Sequence, residues 1–145
     1  MSDRREEIVA AARGWIGTPY RHQASLRGVG CDCLGLLRGV WRETMGEEPE
    51  AAPPYTRDWA EAQGGDFLLD AAQRWFRPVP LSDFSAGDVL IFRWRAGAPA
   101  KHCAIATSRN RMIHAHDGAS VCEIDLSFWR RRLAGAFSFP EREAQ

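Results

Sequence analysis

The sequence predicts an α+β fold, with helices first and a mostly antiparallel sheet second. Three observations carry this expectation. Residues 3–46 hold two segments with apolar residues at helical spacing. Residues 88–139 instead hold short apolar runs bounded by turn residues. No repeat, low-complexity tract or long linker divides the 145 residues, so one domain over 1–145 is expected.

The first helix is expected over Asp3 to Trp15. Asp3 followed by Glu6 reads as a capping box, and Ile8, Val9, Ala12, Trp15 and Ile16 mark one apolar face. Gly17-Thr18-Pro19 ends it, and Tyr20 to Gly30 reads as an irregular loop. A second helix should begin at Asp32 or Cys33. Leu34, Leu37, Val40 and Trp41 give it a core stripe, and Gly46 is its stop. Glu47 to Tyr55 reads as a loop rich in proline, and Arg57 to Phe76 as a helix interrupted at Gly64-Gly65. Pro78 and Pro80 close that region. Strands follow at Asp88 to Trp94, Cys103 to Thr107 and Arg111 to Ala115. Val121 to Ile124 and Ala134 to Phe139 complete the sheet, with a helical turn near Phe128 between them.

Lys plus Arg and Asp plus Glu both number 19, so the formal net charge is zero. A dedicated nucleic-acid binder would carry a basic excess, so no nucleic-acid partner is expected. Hydrophobic residues make up 45% of the chain, which is the composition of a globular domain and not of a disordered one. No apolar run approaches the ~20 residues of a membrane span. The start, MSDRREEIVA, is charged and has no apolar core, so no secretory signal peptide is expected. The four cysteines, Cys31, Cys33, Cys103 and Cys122, then read as thiols and not as a disulfide frame.

Three segments carry chemistry: GTPY at 17–20, CDCLG at 31–35, and KHCAIATSRNRMIHAH at 101–116. Asp32 fits an N-cap, which makes Cys33 the first helical residue. There a thiolate faces unpaired N–H groups and the positive end of the helix dipole, and both favour the nucleophilic form. Cys31 lies just outside this field. A cysteine nucleophile also needs a base within reach and a third group to orient the base. His102 opens one predicted strand and His114 lies on the next. If the turn between them is odd in length, His102, His114 and His116 share one face; a two-residue loop would break that parity. A Cys–His–His arrangement is thus permitted, with His116 or Asp117 as alternatives for its third member. Cys103 and Cys122 sit in apolar strand patterns and read as core. His22 reads as a surface or cleft-lining residue, and Trp94 or Trp129 as candidates to line a groove.

These segments resemble those of the NlpC family of papain-like cell-wall cysteine endopeptidases. The matching residues are GTPY at 17–20, Asp32-Cys33-Leu34-Gly35, Gly87-Asp88, His102-Cys103-Ala104-Ile105 and Ile113-His114-Ala115, in the family's order from about residue 5 to 138. The chain looks most like small members encoded in phage and gene-transfer-agent tail modules. The resemblance implies a papain-like fold, Cys33 as nucleophile, His102 as general base and His114 as its orienting partner. Tyr20, with backbone N–H groups at the start of the nucleophile helix, would stabilise the oxyanion, and Asp32 would belong to the same oxyanion and substrate-binding region. It further implies a peptidoglycan stem peptide as substrate, commonly cut between D-γ-glutamate and diaminopimelate, with no cofactor and no metal. The implied setting is synthesis in the cytoplasm, carriage by a phage-like tail or baseplate hub, and action on the periplasmic wall. Two departures stand out. Leu34 replaces the usual small residue after the nucleophile, which is expected to narrow the site or alter its preference. The loop after Tyr20 reads RHQASLRGVG where the family often has Trp-Gly-Gly. The rival readings are an inactive wall-binding or tail structural protein, and a zinc module built from Cys31, Cys33, His102, Cys103, His114, His116 and Cys122.

Overall fold

A computed structural model describes residues 3–49 and 66–141. Helix α1 spans Asp3–Arg13 and α2 spans Cys33–Thr44. Between them a short hairpin pairs β1 (Ser25–Leu26) with β2 (Gly30–Cys31). Helix α3 (Phe67–Trp75) leads into β3 (Arg77–Val79), β4 (Val89–Arg93), β5 (Ala100–Ala106), β6 (Arg111–His114), β7 (Cys122–Asp125) and β8 (Leu133–Ser138). A 3₁₀ turn at Arg130–Arg132 precedes β8. The six later strands form one sheet in the order β3-β8-β4-β5-β6-β7, antiparallel at every pairing.

The fold class is the α+β arrangement that the residue pattern predicts. The layers follow from which residues each strand offers to which side. Val89 and Ile91 of β4 join Cys103 and Ile105 of β5 under the helices. Leu90, Phe92, Ala104 and Met112 face the other way, where Phe84, Leu126 and Trp129 cover them. Both faces of β4 and β5 are therefore buried. That is why VLIF reads as an unbroken apolar run instead of an alternating one.

Helix α2 contributes Leu36, Leu37, Val40 and Trp41 to the helix-side core, and α1 contributes Ile8 and Ala12. Trp15 follows α1, lies 1% exposed, and donates its indole N–H to Glu43 at 2.9 Å. Its ring fills the space over Gly39, where a Cβ would come within 2.0 Å of it. Asp88 ties the layers together. Its carboxylate accepts from Arg5 of α1 at 2.8 Å, from the Ser138 hydroxyl of β8 at 2.7 Å and from the Ser85 N–H at 2.9 Å.

Several local expectations change. Asp3 already lies inside α1, so it stands with Glu6 in the first turn and does not cap. The helix ends at Arg13, before Trp15. The stretch from Tyr20 to Gly30 is not wholly irregular, because residues 25–31 close the β1–β2 hairpin through a turn with Gly28 at φ +79°. Pro78 does not merely close a helix: it sits in β3. A proline is tolerated there because β3 is an edge strand with one side unpaired. Strand β5 begins at Ala100, so His102 lies within it. Strands β7 and β8 each start one residue away from where the pattern put them. The helix expected from Arg57 is described only as α3, and its earlier part, with Gly64-Gly65, lies outside the described residues. So does most of the proline-rich stretch from Glu47 to Tyr55.

At Gly35 a side chain would meet backbone. A Cβ there would sit 1.8 Å from the Ala24 carbonyl oxygen, a backbone atom that cannot swing aside. Gly35→Ala should therefore destabilise the protein by about 3 kcal/mol or more, as overpacking against backbone does. Urea unfolding of the two proteins measures this, and a loss below about 0.5 kcal/mol would show that the close approach is not required.

Candidate active site

The site starts from the first turn of α2. Asp32 is its N-cap, extended at φ −102° and ψ −172°. One carboxylate oxygen accepts from the Gly35 N–H at 2.7 Å. The other accepts from the Gln23 N–H at 2.8 Å. The second bond matters as much as the first, because it ties the loop after Tyr20 to the helix start. Gln23 holds a left-handed φ of 65° in this arrangement. The Ser25 hydroxyl donates to the Gly35 carbonyl at 2.6 Å and strengthens the same junction. Asp32 itself is 3% exposed.

Cys33 is the first residue of α2 and is partly buried. Its thiol is held well below the ordinary range. A hydrogen bond from the Cys103 thiol is the largest cause, and a hydrogen bond and charge from His102 act in the same direction. Burial and the Asp32 carboxylate oppose them. Cys31 goes the other way: burial, then Asp32 and Cys33, push its thiol up to about 12. Two residues apart, one sulfur is prepared to carry charge and the other to stay protonated.

Tyr20 is brought beside this pair by backbone bonds. Cys31 N–H donates to the Pro19 carbonyl and Arg21 N–H to the Cys31 carbonyl, both at 3.0 Å, so Tyr20 runs alongside Cys31. Residues 19–24 form one wall of a cleft of about 740 Å³, and residues 117–120 form the other. His22 lines that cleft, with its ring 4.0 Å from Asp32. Asp117 lies on the opposite wall. Leu34 does not line this cleft. It borders a small apolar crevice of about 100 Å³ with Leu37 of α2 and Phe67 and Leu68 of α3.

The pairing of β5 with β6 brings the two histidines together. Ala106 pairs with Met112, enclosing residues 107–111, an odd number. His102 and His114 therefore share a face. His102 Nε2 lies 2.9 Å from His114 Nδ1. The His116 ring lies 5.6 Å from that of His102 centroid to centroid, and the hydrogen bond of His102 goes to His114. His102 is opposite Phe92, at the bulge where β4 and β5 shift register, and bulges re-aim side chains.

Burial, then the charges of His102 and His116, hold His114 down to about 3. It is thus a neutral ring at physiological pH. His102 must donate whenever it is charged, so its Nε2–H points to His114 Nδ1 as acceptor. That leaves His102 Nδ1 for Cys33. An aromatic wall fixes the ring in this orientation. Trp129 stacks on His102 with centroids 4.7 Å apart and planes 27° apart, and Trp94 stacks at 6.3 Å. Trp129 is only 4% exposed, so it packs on the imidazole and does not line an open groove.

Sequence reading singled out Tyr20, Asp32, Cys33, His102 and His114, and the fold brings all five to one end of α2. It missed two neighbours. Trp129 is remote in sequence and carried only a generic aromatic signal. Cys103 read as core, and it is 1% exposed, yet its sulfur also lies 3.3 Å from the Cys33 carbonyl oxygen. Strand alternation was the available clue: the residue after His102 faces the opposite way, toward α2. Cys122 pairs with His114 across β6 and β7 and is half-buried. Among the described residues, no group of three or more His, Cys, Asp or Glu is arranged to hold a metal ion.

Residues 17–138 match the NlpC/P60 family. The chain is 25% identical over 134 residues to the probable peptidoglycan endopeptidase LytE of Bacillus subtilis, covering 92% of this chain and 34% of that one. It is 27% identical over 120 residues to the gamma-D-glutamyl-L-lysine dipeptidyl-peptidase of the same organism, covering 82% and 34%. The chain thus spans about a third of the length of these curated relatives. Among solved structures, the NlpC/P60 domain of the peptidoglycan hydrolase SagA superposes with a TM-score of 0.66 at 25% identity, over 93% of this chain and 98% of that domain.

The neutral His114 has a measurable consequence. Unfolded, its ring titrates near 6.5; folded, it stays neutral until about 3. Below pH 6.5 the unfolded chain therefore binds a proton that the folded chain refuses. Stability falls as pH falls, by about 1.4 kcal/mol per unit from this ring alone. Urea unfolding between about pH 7 and pH 4.5 should show a slope that is shallower by close to one proton in His114→Gln. Parallel slopes would mean that His114 is not held neutral.

Proposed function

Because the chain belongs to the NlpC/P60 family, we propose that it is a single cysteine peptidase domain that hydrolyses peptidoglycan stem peptides. The observation that carries this reading is the relay from a helix-start thiol, Cys33, through His102 to the neutral His114 at 2.9 Å. In this reading the Cys33 thiolate attacks a peptide carbonyl. The oxyanion is held by backbone N–H groups at the start of α2 and by the Tyr20 hydroxyl. His102 gives the proton on Nδ1 to the leaving amine, and the amine departs as the thioester forms. A water molecule then attacks the thioester, His102 takes the water's proton, and the acid product leaves the free thiol. His114 keeps the imidazole in the right tautomer throughout by accepting from Nε2–H.

Asp32 acts one step removed. A carboxylate already accepting from two backbone N–H groups caps the helix and holds the loop that carries Tyr20. Leu34 lies toward α3, so its bulk is spent on packing and leaves the polar cleft open.

The bond we favour is the one between D-γ-glutamate and diaminopimelate. A relative named for γ-D-glutamyl cleavage and the shared motif order support that choice. Delivery by a phage-like tail or baseplate hub is part of the proposal, and the motif resemblance to small tail-module members supports it.

Digestion of purified peptidoglycan, with mass spectrometry of the released fragments, tests the reading. The wild type should release fragments with new D-γ-glutamyl ends. Cys33→Ala should release none, His102→Ala should fall by about a thousandfold or more, and Cys31→Ala should stay within about threefold of wild type. An active Cys33→Ala would overturn the assignment. Death of Cys31→Ala with survival of Cys33→Ala would move the nucleophile by two residues.

A further inference from the structure

Arg21 carries a charge that no ion pair of the fold and no step of the proposed chemistry uses. Its backbone is held, because its N–H donates to the Cys31 carbonyl at 3.0 Å. Its stem is held as well. It lies across the bare face of Gly30 in β2, where a Cβ would come within 2.5 Å of Arg21 Cδ and 2.8 Å of Cγ. The exposed guanidinium lines the cleft and makes no hydrogen bond or ion pair with the described residues. A packed stem with its charged head in water is a common use of arginine. The next side chain on this wall is already engaged: His22 Nδ1 lies 4.0 Å from Asp32.

The opposite wall carries the opposite charge. Asp117 lines it together with Ser120. A turn shapes this wall, with Gly118 at φ +89° and the Ala119 N–H donating to the His116 carbonyl at 3.1 Å. Two backbone bonds join the segments that carry the walls. Gly17 N–H donates to the Val121 carbonyl and Val121 N–H to the Thr18 carbonyl, both at 2.9 Å. Backbone pairing therefore sets a guanidinium fork on one side of the cleft and a carboxylate on the other.

The place of the cleft decides which part of a substrate enters it. His102 protonates the leaving amine, so the residue that carries this amine lies on the side of the base. The Asp117 wall continues from β6, the strand of His114, through His116, whose ring lies 5.6 Å from that of His102. In the bond favoured above, the residue on that side is diaminopimelate. Its far end has a carboxylate and an ammonium on one carbon. Lysine in the same place has the ammonium alone.

We propose that Arg21 and Asp117 determine specificity, Arg21 binding the carboxylate and Asp117 the ammonium at the zwitterionic end of diaminopimelate. The inference rests on the peptidase reading and on the bond favoured there. The planar fork of arginine can give a carboxylate two parallel hydrogen bonds. Both diaminopimelate and lysine offer Asp117 an ammonium, so the discrimination between them falls on Arg21.

Three soluble peptides test this. Each has L-alanyl-γ-D-glutamate followed by diaminopimelate, by diaminopimelate amidated at its far carboxylate, or by lysine. Wild type should favour the first by about tenfold or more in kcat/KM over each of the others, the loss of one charge-assisted contact. Arg21→Gln should bring the three within about twofold, and Arg21→Lys should keep part of the preference. Asp117→Asn should lower all three and keep their order. A folding defect would lower all three alike, so the ratio isolates the contact. The amidated peptide puts the same question to the wild type without any substitution. Equal rates on the three peptides in wild type, or a preference that survives Arg21→Gln, overturn the proposal and leave the peptidase reading standing. No cleavage of any of the three by wild type overturns both.

Discussion

The arrangement of the site depends on one buried carboxylate. Asp32 caps α2 through the Gly35 N–H and clamps the preceding loop through the Gln23 N–H. The cap fixes where the helix begins, and so where Cys33 stands. The clamp fixes the loop that carries Tyr20 and His22 along the cleft. Gly35 has to be bare for the loop to come this close. A buried carboxylate with two backbone donors has a partner for each oxygen, and it holds both elements at once. That same charge acts against a thiolate at the next residue. The site accepts this electrostatic cost in exchange for position, and the donors around Cys33 have to outweigh it.

The second constraint is that the base needs a partner that does not compete for its proton. A carboxylate in the place of His114 would bind the His102 proton strongly. A buried neutral imidazole accepts the hydrogen bond without adding a full charge. Its own burial enforces neutrality, and the sheet supplies that burial through β5, β6 and Trp129. The aromatic wall also shields the His102 ring on one face. Orientation of the base is therefore a property of the sheet, while the helix end fixes where the thiol stands and β5 supplies the groups that lower its pKa. Catalysis in this reading needs the two layers to meet, and α2 packs directly against β5.

Much of this was legible in the residues. The helix-start cysteine, its acidic cap and the two histidines were readable from local chemistry and strand parity, while the tyrosine was readable only through the resemblance to the family. The parity argument left open whether the turn was odd, and the Ala106–Met112 pair answers that. Sequence could not separate His114 from His116, since both share the face and only the reach of a ring across the strands distinguishes them. The edge strand β3 was hidden by Pro78, which signals a break unless the strand is known to be at an edge. Trp129 stacks on His102 through a contact between residues 27 apart in sequence, and no pattern in either segment points to the other. Cys103 was hidden because it satisfies the core pattern fully; its contact with the Cys33 carbonyl comes from what lies across the interface.

The balance of forces at Cys33 also bears on how reactive the thiol should be. Every donor that steadies the thiolate lowers its pKa, and a lower pKa makes sulfur a weaker nucleophile even as more of it is ionised. The greatest reactivity lies where the pKa is near the working pH. Cys103 and His102 push down, while burial and Asp32 push up. Neither set alone would place the thiol well. With the downward set only, the sulfur would be fully ionised and sluggish; with the upward set only, it would resemble Cys31 and stay protonated. The closeness of Cys31 makes the point within one molecule. Two thiols separated by a single residue share the same acidic neighbour, and the donors aimed at Cys33 separate the inert one from the reactive one.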